Sequence, residues 1–248
     1  MMNFYVSRCH AWAPGINTDE QWQAWSQGLV QIAETGVPDA KAVPPMLRRR
    51  LTRWGRMALE TACACADDVD AETPVLFSSR HGDTQRTFSL LQNLADAEPL
   101  SPTAFSLSVH NASLGIYTIV QQALGPSLAM AAGKESLAHA MLEAYGLLAA
   151  GAKQVLLVHT DDLLAEFYQS YADEQELPLS VALLLNRSHG RALELSWQPA
   201  KDAPQEDSMG MAFLRWWFGD GHYRLNGKLD YQGSRLVWTW ALKDDCNN

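Results

Sequence analysis

The residues best placed to do chemistry are Gly133, Lys134, Glu135 and Ser136, which lie between a short apolar run and a helical pattern. A helix N-terminus lowers the pKa of a thiol and so activates a nucleophile that lies there. None of the four residues is a cysteine. Lys134 cannot hold an acyl group as a thioester, and a cation is disfavoured at the positive helix end. We expect its amine to face solvent or to pair with Glu135.

Ser136 keeps a second chemistry open, namely acyl hydrolysis or transfer through a serine nucleophile. Its surroundings, Gly-Lys-Glu-Ser-Leu, lack the second glycine of the Gly-x-Ser-x-Gly turn that exposes the serine of hydrolases. His139 lies one helical turn after Glu135, and an i,i+4 pair explains it without catalysis. Other residues that could join Ser136 are His110, His159, Asp161 and Asp162.

Two of the four cysteines, Cys63 and Cys65, lie in the segment Thr-Ala-Cys-Ala-Cys-Ala. This segment ends a predicted helix, where the negative helix end and the following aspartates raise a thiol pKa. We therefore expect neither cysteine to be a nucleophile. Their spacing is too tight for a zinc site, and the scattered Cys9 and Cys246 supply no second pair. The expectation is a cytoplasmic protein with reduced thiols, no metal and no cofactor.

The charge and hydropathy of the chain exclude some classes of partner. The formal net charge is −9 and no long basic run is present, which argues against a nucleic-acid partner. No stretch of about 18 apolar residues occurs, so no membrane span is expected. The N-terminus lacks the basic and apolar parts of a secretory signal. The 248 residues are enough for one large domain or two small ones.

Helical and strand patterns alternate, which predicts an α/β architecture. Strands are predicted at 3–9, 74–79, 127–132, 155–158, 180–186, 192–197 and 236–242. Helices are predicted after Asn17, at 46–66, after Gly82, and at 111–123, 135–150 and 211–218. The turn at 187–190 favours a hairpin between its two flanking strands. Trp238 and Trp240 should share one face of the last strand.

Several motifs follow one another in residues 101–140. Ser101-Pro102 precedes Asn111-Ala-Ser-Leu-Gly115, then Gly125-Pro126, then a small-residue strand and a helix. This order and spacing resemble the nucleophile region of the β-ketoacyl synthases, with Lys134 at the position of their catalytic cysteine. The resemblance runs from residue 1 to about residue 198, and the second half of a synthase has no counterpart. The chain is most similar to the short chain length factors found beside aryl polyene and related fatty-acid-type gene clusters.

The resemblance implies both a fold and a function. The fold is the N-terminal half of the thiolase-like fold in residues 1–198, with residues 199–248 as a helix-and-strand extension packed on it. The function is a non-catalytic chain length factor for polyene, polyketide or fatty-acid-type biosynthesis. Such a subunit pairs with a full-length β-ketoacyl synthase as a heterodimer and shapes its acyl tunnel. An acyl carrier protein would dock transiently.

The same resemblance implies three sets of site residues. The tunnel end would be formed by Thr84, Thr87, Phe88, Leu91, Phe105 and His110. The synthase interface would contain Asn111, Ser127, Leu128, Ala129, Met130 and Ala131. Carrier-protein docking would use Arg49, Arg50 and Arg53, although a solvated helix face paired with local acids explains these arginines equally well. Two rival functions stay open: a stand-alone acyl-chain or carrier-protein binding module, and a serine acyl hydrolase or transferase using Ser136.

Overall fold

The computed structural model describes residues 1–201, 206–219 and 227–243. These residues form one eight-stranded sheet with the strand order β3-β2-β4-β5-β1-β6-β8-β7. Strands β3, β2 and β4 are parallel, and the other neighbouring pairs are antiparallel. The strands are β1 (Met2–Trp12), β2 (Val75–Ser78), β3 (Ser127–Met130), β4 (Gln154–Asp161), β5 (Leu179–Asn186), β6 (Arg191–Pro199), β7 (Lys228–Gln232) and β8 (Leu236–Leu242).

Helices cover both faces of the sheet, which confirms the predicted α/β architecture. The α-helices of the described residues are α1 (Asp19–Ser26), α2 (Pro45–Arg48), α3 (Arg53–Ala64), α4 (Thr84–Ala95), α5 (Pro102–Ser106), α6 (Ala112–Gln121), α7 (Ser136–Ala149) and α8 (Met209–Phe218). Two 3₁₀ turns occur at Ala66–Asp68 and Glu166–Tyr171.

The core has two layers, one on each face of the sheet. Helices α1, α7 and α8 pack on one face, and α3 and α6 pack on the other. Along β5, Val181 and Leu183 point to the first layer, whereas Ala182 and Leu184 point to the second. Strands buried on both faces read as continuous apolar runs. This is why the sequence pattern located β4 and β5 so directly.

The single helix predicted over residues 46–66 is wrong, because the structure interrupts it between α2 and α3. Thr52 lies in the interruption and caps α3 by accepting a hydrogen bond from the Gly55 N–H at 3.4 Å. Threonine is a favoured N-cap because its side-chain oxygen satisfies a free N–H of the first turn. The helical spacing of apolar residues continued across this cap and concealed it.

The hairpin predicted around the turn at 187–190 is also wrong. Strand β1 lies between β5 and β6 and pairs antiparallel with both, so β5 and β6 run in the same direction. The turn crosses β1 near Val6, where a Cβ on Gly190 would lie 2.3 Å from the Val6 carbonyl oxygen. Gly190 has a φ of +104°, which an L side chain rarely adopts. Alternation along a strand shows which face is buried but not which strand is its neighbour.

The segment after β6 continues the same sheet. Helix α8 and strand β8 form as predicted, and β7, which the sequence pattern did not reveal, pairs with β8. Trp238 and Trp240 are both buried in one core layer, which confirms that they share a face. Cys246 and residues 202–205 lie outside the described residues. No helix within the described ranges is long and apolar enough to cross a membrane.

Candidate functional site

The residues with predicted chemistry converge where the parallel strands β2, β3 and β4 end. Arg80 and His81 follow β2, Lys134 follows β3, and His159 and Asp161 end β4. Open α/β sheets bind ligands at this carboxyl edge. Here the edge is crossed by residues 172–177, a segment before β5 that we call the strap.

Lys134 is bound to the strap. Its Nζ donates a hydrogen bond to the Asp173 backbone carbonyl at 2.5 Å and lies 3.3 Å from the Asp173 carboxylate. Only 10% of the side chain is exposed. The expectation that this amine faces solvent or pairs with Glu135 is therefore wrong. The sequence could not reveal the pairing, because Asp173 is 39 residues away along the chain.

Arg80 holds the same strap from the other side. Its guanidinium donates to the Asp173 carboxylate at 2.7 Å and forms an ion pair with Glu174 at 2.8 Å. Burial raises the pKa of Glu174, although Arg80 opposes that shift. Nearby, Nε2 of His81 lies 3.5 Å from the Glu176 carboxylate. The carboxyl edge is thus occupied by paired charges of this chain.

Glu135 is buried at the start of α7 and is bound by the C-terminal hairpin. Its carboxylate accepts hydrogen bonds from the Ser234 N–H at 2.8 Å and from the Trp238 indole at 2.9 Å. A Cβ on Gly233 would lie 2.4 Å from that carboxylate and 2.9 Å from the Leu236 carbonyl oxygen, so a side chain at this position would displace the Glu135 carboxylate. The β7–β8 hairpin therefore covers the helix end at which the sequence predicted a nucleophile position.

Ser136 is used as a local cap. Its hydroxyl donates to the Gly133 carbonyl at 2.7 Å and accepts from the Ala132 N–H at 2.9 Å. The residue is 1% exposed. His139 lies with Nδ1 3.0 Å from the backbone carbonyl of Glu135, not its carboxylate, and its ring packs edge-on against Trp238. Both hydrogen bonds of the Ser136 hydroxyl thus go to the backbone.

A buried serine, a buried histidine and a half-buried aspartate connect β2 to β4. Ser78 Oγ lies 2.9 Å from His159 Nδ1, and His159 Nε2 lies 3.1 Å from the Asp161 carboxylate. Burial opposes the charge of Asp161. The His159 charge and hydrogen bonds from His159, Arg80 and Ser79 outweigh it and lower the pKa of Asp161 to about 2. Ser78 and His159 are each 2% exposed, so the serine hydroxyl and the imidazole are held inside the sheet.

The three cysteines in the described ranges are poor nucleophiles. Burial raises the pKa of Cys65 to about 12 and also raises the pKa values of Cys63 and Cys9. Cys65 is the C-cap of α3, at the negative helix end. Both observations agree with the interpretation of the Cys-Ala-Cys segment as structural.

The predicted tunnel residues lie on α4, on α5 and just before α6. Phe88 is half-buried and stacks on Phe167, with ring centroids 5.4 Å apart. Phe105 on α5 is 64% exposed. His110 is half-buried, with Nε2 3.3 Å from the Ser79 carbonyl. The other three lie on α4, where Thr84 is half-buried and Thr87 and Leu91 are exposed.

The predicted interface strand, β3, is an edge of the sheet. It pairs with β2 on one side and has no strand neighbour on the other among the described residues. Ile119 and Leu124 beside it are exposed, as is Leu142 on α7. The interface residues themselves are exposed at Asn111, Ser127 and Ala131 and half-buried at Leu128, Ala129 and Met130. An apolar strand edge is a ready-made template for another chain.

The three predicted docking arginines differ in their surroundings. Arg49 and Arg50 are exposed. Arg53 is not: its guanidinium makes two hydrogen bonds to the Asp162 carboxylate, at 3.0 and 2.6 Å, and a third to the Glu34 carbonyl at 2.6 Å. The structure therefore gives Arg53 an internal role that the sequence analysis did not foresee.

Four residues of this region were not predicted from the sequence, namely Ser78, Phe167, Tyr168 and Asp173. Phe167 and Tyr168 lie on the 3₁₀ turn Glu166–Tyr171, which has no helical periodicity to identify it. The density of aromatic residues at 167–171 was the available signal. No group of three or more His, Cys, Asp or Glu in the described ranges could hold a metal ion.

Comparisons with known proteins agree with this geometry. Residues 22–241 match the family model described as the β-ketoacyl synthase N-terminal domain, whereas no curated protein matches the chain. A solved complex of the ketosynthase ApeO with its chain length factor ApeC from Xenorhabdus doucetiae has 30% identity and a TM-score of 0.83, covering 97% of this chain and 100% of the matched one.

Two more distant structures share the fold. The ishigamide ketosynthase/chain length factor has 15% identity and a TM-score of 0.67, over 82% of this chain and 69% of the matched one. The AntDE:AntF complex, a type II polyketide synthase carrier protein with its hexaketide-bound ketosynthase, has 14% identity and a TM-score of 0.60, over 87% and 73%. The thiolase-like fold expected from the sequence is thereby confirmed, and the chain belongs to the β-ketoacyl synthase family.

Proposed function

We propose that the chain is a non-catalytic chain length factor that pairs with a full-length β-ketoacyl synthase and closes the end of its acyl tunnel. The product would be a polyene, polyketide or fatty-acid-type chain. The similarity to the ApeO–ApeC complex over the full length of the matched chain supports this role.

The observation that carries the proposal is the start of α7. A condensing enzyme needs a thiolate at this helix end. Residues 133–136 contain no thiol, and each polar side chain among them already has partners within the chain. Lys134 binds the strap, Glu135 binds the C-terminal hairpin, and Ser136 caps its own turn. Nothing at this helix end is free to accept an acyl group.

The edge strand β3 supports the pairing with a synthase. Its free side offers backbone groups to a partner, and we assign the exposed apolar side chains Ile119, Leu124 and Leu142 to the same contact. Obligate interfaces are large and apolar, commonly above about 2,000 Å². We assign Ser127, Leu128, Ala129, Met130, Ala131 and Asn111 to that contact.

Two further assignments complete the proposal. The tunnel end is formed by Thr84, Thr87, Phe88, Leu91, Phe105 and His110, whose bulk limits the length of the chain. Carrier-protein docking belongs to the exposed Arg49 and Arg50, because the Arg53 guanidinium is occupied by Asp162 and Glu34. A serine hydrolase is disfavoured, since the Ser136 hydroxyl is buried and bonded to backbone atoms.

Co-expression with a full-length synthase encoded next to this chain tests the proposal. We expect the two chains to elute together in size exclusion. Intact mass spectrometry after incubation with an acyl-carrier thioester should then show an acyl adduct on the synthase and none on this chain. A stoichiometric adduct on Ser136, Cys63 or Cys65 would contradict the non-catalytic role. Separate elution from that synthase would contradict the heterodimer and favour a stand-alone binding module.

A further inference from the structure

We infer that Phe167 and Tyr168 are chain-length-determining residues that act together with Phe88, and that Lys134 and Arg80 position them. The ligand they would contact is the apolar end of the growing carrier-bound acyl chain. This inference rests on the proposed function, because it concerns the closed end of the tunnel that this function implies.

The three rings form one packed group. Phe88 stacks on Phe167 at 5.4 Å with an interplanar angle of 19°, and Tyr168 packs edge-on against Phe88 at 5.9 Å and against Phe167 at 5.1 Å. Aromatic pairs with these separations are favourable contacts in protein cores. The side chain of Phe88 therefore does not stand alone, and the position of its ring depends on the two rings that pack against it.

The group is nevertheless open on one side. Phe167 is 65% exposed even though it stacks on Phe88. Leu91, which follows Phe88 by three residues and so lies on the same face of α4, is also exposed. An exposed apolar surface made of several neighbouring side chains commonly marks a binding site. Phe167, on the 3₁₀ turn Glu166–Tyr171, thus adds a bulky aromatic side chain to the apolar surface formed by Phe88 and Leu91 on α4.

Ionic contacts hold both ends of the segment that carries Phe167 and Tyr168. At one end Arg53 binds Asp162 through two hydrogen bonds, and at the other Arg80 and Lys134 both bind Asp173. Between these anchors the chain forms only the 3₁₀ turn and pairs with no sheet strand. Asp173 lies two residues after that turn. Its contacts with Lys134 and Arg80 therefore fix the position of the Phe167 and Tyr168 rings. Lys134, at the nucleophile position, thereby acquires a positioning role.

The first experiment measures product length in the co-expressed heterodimer. Phe167→Ala and Tyr168→Ala should each shift the product distribution upward by one or more two-carbon units in heterodimers that still assemble. Tyr171→Ala is the matched control, because Tyr171 ends the same turn and makes no ring contact with Phe88 among the described residues. It should leave product length unchanged. Phe167→Ala complexes that assemble normally and keep the wild-type distribution would overturn the inference and leave the proposed function intact.

A second experiment tests the positioning role of Lys134. Lys134→Met removes the cation at similar length, whereas Lys134→Arg keeps it. Amide hydrogen exchange at residues 166–173 of the purified heterodimer should be several-fold faster in the Met variant, and its product distribution should broaden. The Arg variant should restore both. Equal exchange in wild type and both variants would show that Lys134 does not position this segment, whereas a wild-type chain that never assembles would contradict the proposed function itself.

Discussion

Charge placement at the start of α7 follows the helix dipole. Glu135 puts a carboxylate at the positive helix end, where anions are stabilised by about 0.3–1 kcal/mol when exposed and more when partly buried. The neighbouring Lys134 directs its amine away from that end to Asp173. A helix end of this kind can also stabilise a thiolate. In this chain the helix end is stabilised by a residue without nucleophilic sulfur, which also fixes the C-terminal hairpin.

Asp161→Asn should destabilise the chain at neutral pH by about 2 kcal/mol, because a folded pKa near 2 lies below the unfolded value near 3.9. The sign follows from this order: the contribution of Asp161 is present above about pH 4 and is lost as the pH falls toward 2. Urea unfolding at several pH values measures the effect. The difference between wild type and variant should shrink across that window.

Asp39→Asn is the control for this measurement, since Asp39 pairs with Lys41 at an exposed site. It should change the unfolding free energy by less than about 1 kcal/mol. If Asp161→Asn unfolds like this control at neutral pH, the Ser78–His159–Asp161 group is not a stabilising connection between β2 and β4.

Phe88→Ala and Phe105→Ala should each lengthen the product by one or more two-carbon units. Removing a ring opens room for further methylene groups, and each buried methylene is worth about 0.8 kcal/mol. Mass spectrometry of the carrier-bound chains gives the lengths. Ser89→Ala, at an exposed position on another face of α4, is the control. Unchanged lengths in both phenylalanine variants, with normal assembly, would remove these residues from the tunnel end.

At the scale of elements, the proposed contact between the edge strand β3 and the synthase should not tolerate a charged side chain. Ala129 is half-buried in the middle of this strand, and Ala129→Asp places a charge inside the proposed contact. An uncompensated buried charge costs about 3–5 kcal/mol, which corresponds to a loss of roughly 10²- to 10⁴-fold in affinity. Co-purification with the synthase should therefore be abolished.

Two companion variants make this result interpretable. Ala33→Asp adds the same charge at an exposed loop residue and should leave co-purification unchanged. Ile119→Asp changes a side chain that is 68% exposed on α6, so the folded monomer should tolerate it while the complex weakens. Normal co-purification of both Ala129→Asp and Ile119→Asp would mean that the synthase binds elsewhere.

The sequence was most informative about elements that are buried on both faces or clearly capped. Strands β4 and β5 are continuous apolar runs, and Thr18 caps α1 with a capping box that the sequence shows directly. It was least informative about long-range neighbours. The position of β1 between β5 and β6 and the Lys134–Asp173 contact both join residues far apart along the chain. Local sequence patterns carry no information about contacts between residues that are far apart along the chain.

At the scale of the whole molecule, the net charge of −9 repels an acidic partner. An acidic carrier protein should therefore bind only at an exposed basic site. Arg49→Glu with Arg50→Glu should raise the KM for an acidic carrier-protein substrate roughly 3- to 10-fold, because charges at an interface rim chiefly govern encounter and its salt dependence. Steady-state kinetics of the heterodimer at two ionic strengths measures this. The salt dependence should be weaker in the variant than in wild type.

Lys153→Glu reverses an exposed charge just before β4, at the amino edge of the sheet. It serves as the control and should leave both KM and its salt dependence unchanged. An equal effect of Lys153→Glu would indicate that only total charge matters. No effect of the double arginine variant would assign the arginines to a solvated face.

The insertion of β1 between β5 and β6 has a consequence for biosynthesis. Phe4 pairs with Leu193 and Cys9 pairs with Leu183, so β1 precedes both of its neighbours by most of the length of the chain. At about 5–20 residues per second, the ribosome needs roughly 10–40 s to deliver them. During that interval β1 has neither of its final neighbours. The parallel half with β2, β3 and β4 emerges before β5, so the strand edge proposed to meet the synthase leaves the ribosome while the centre of the sheet is still vacant.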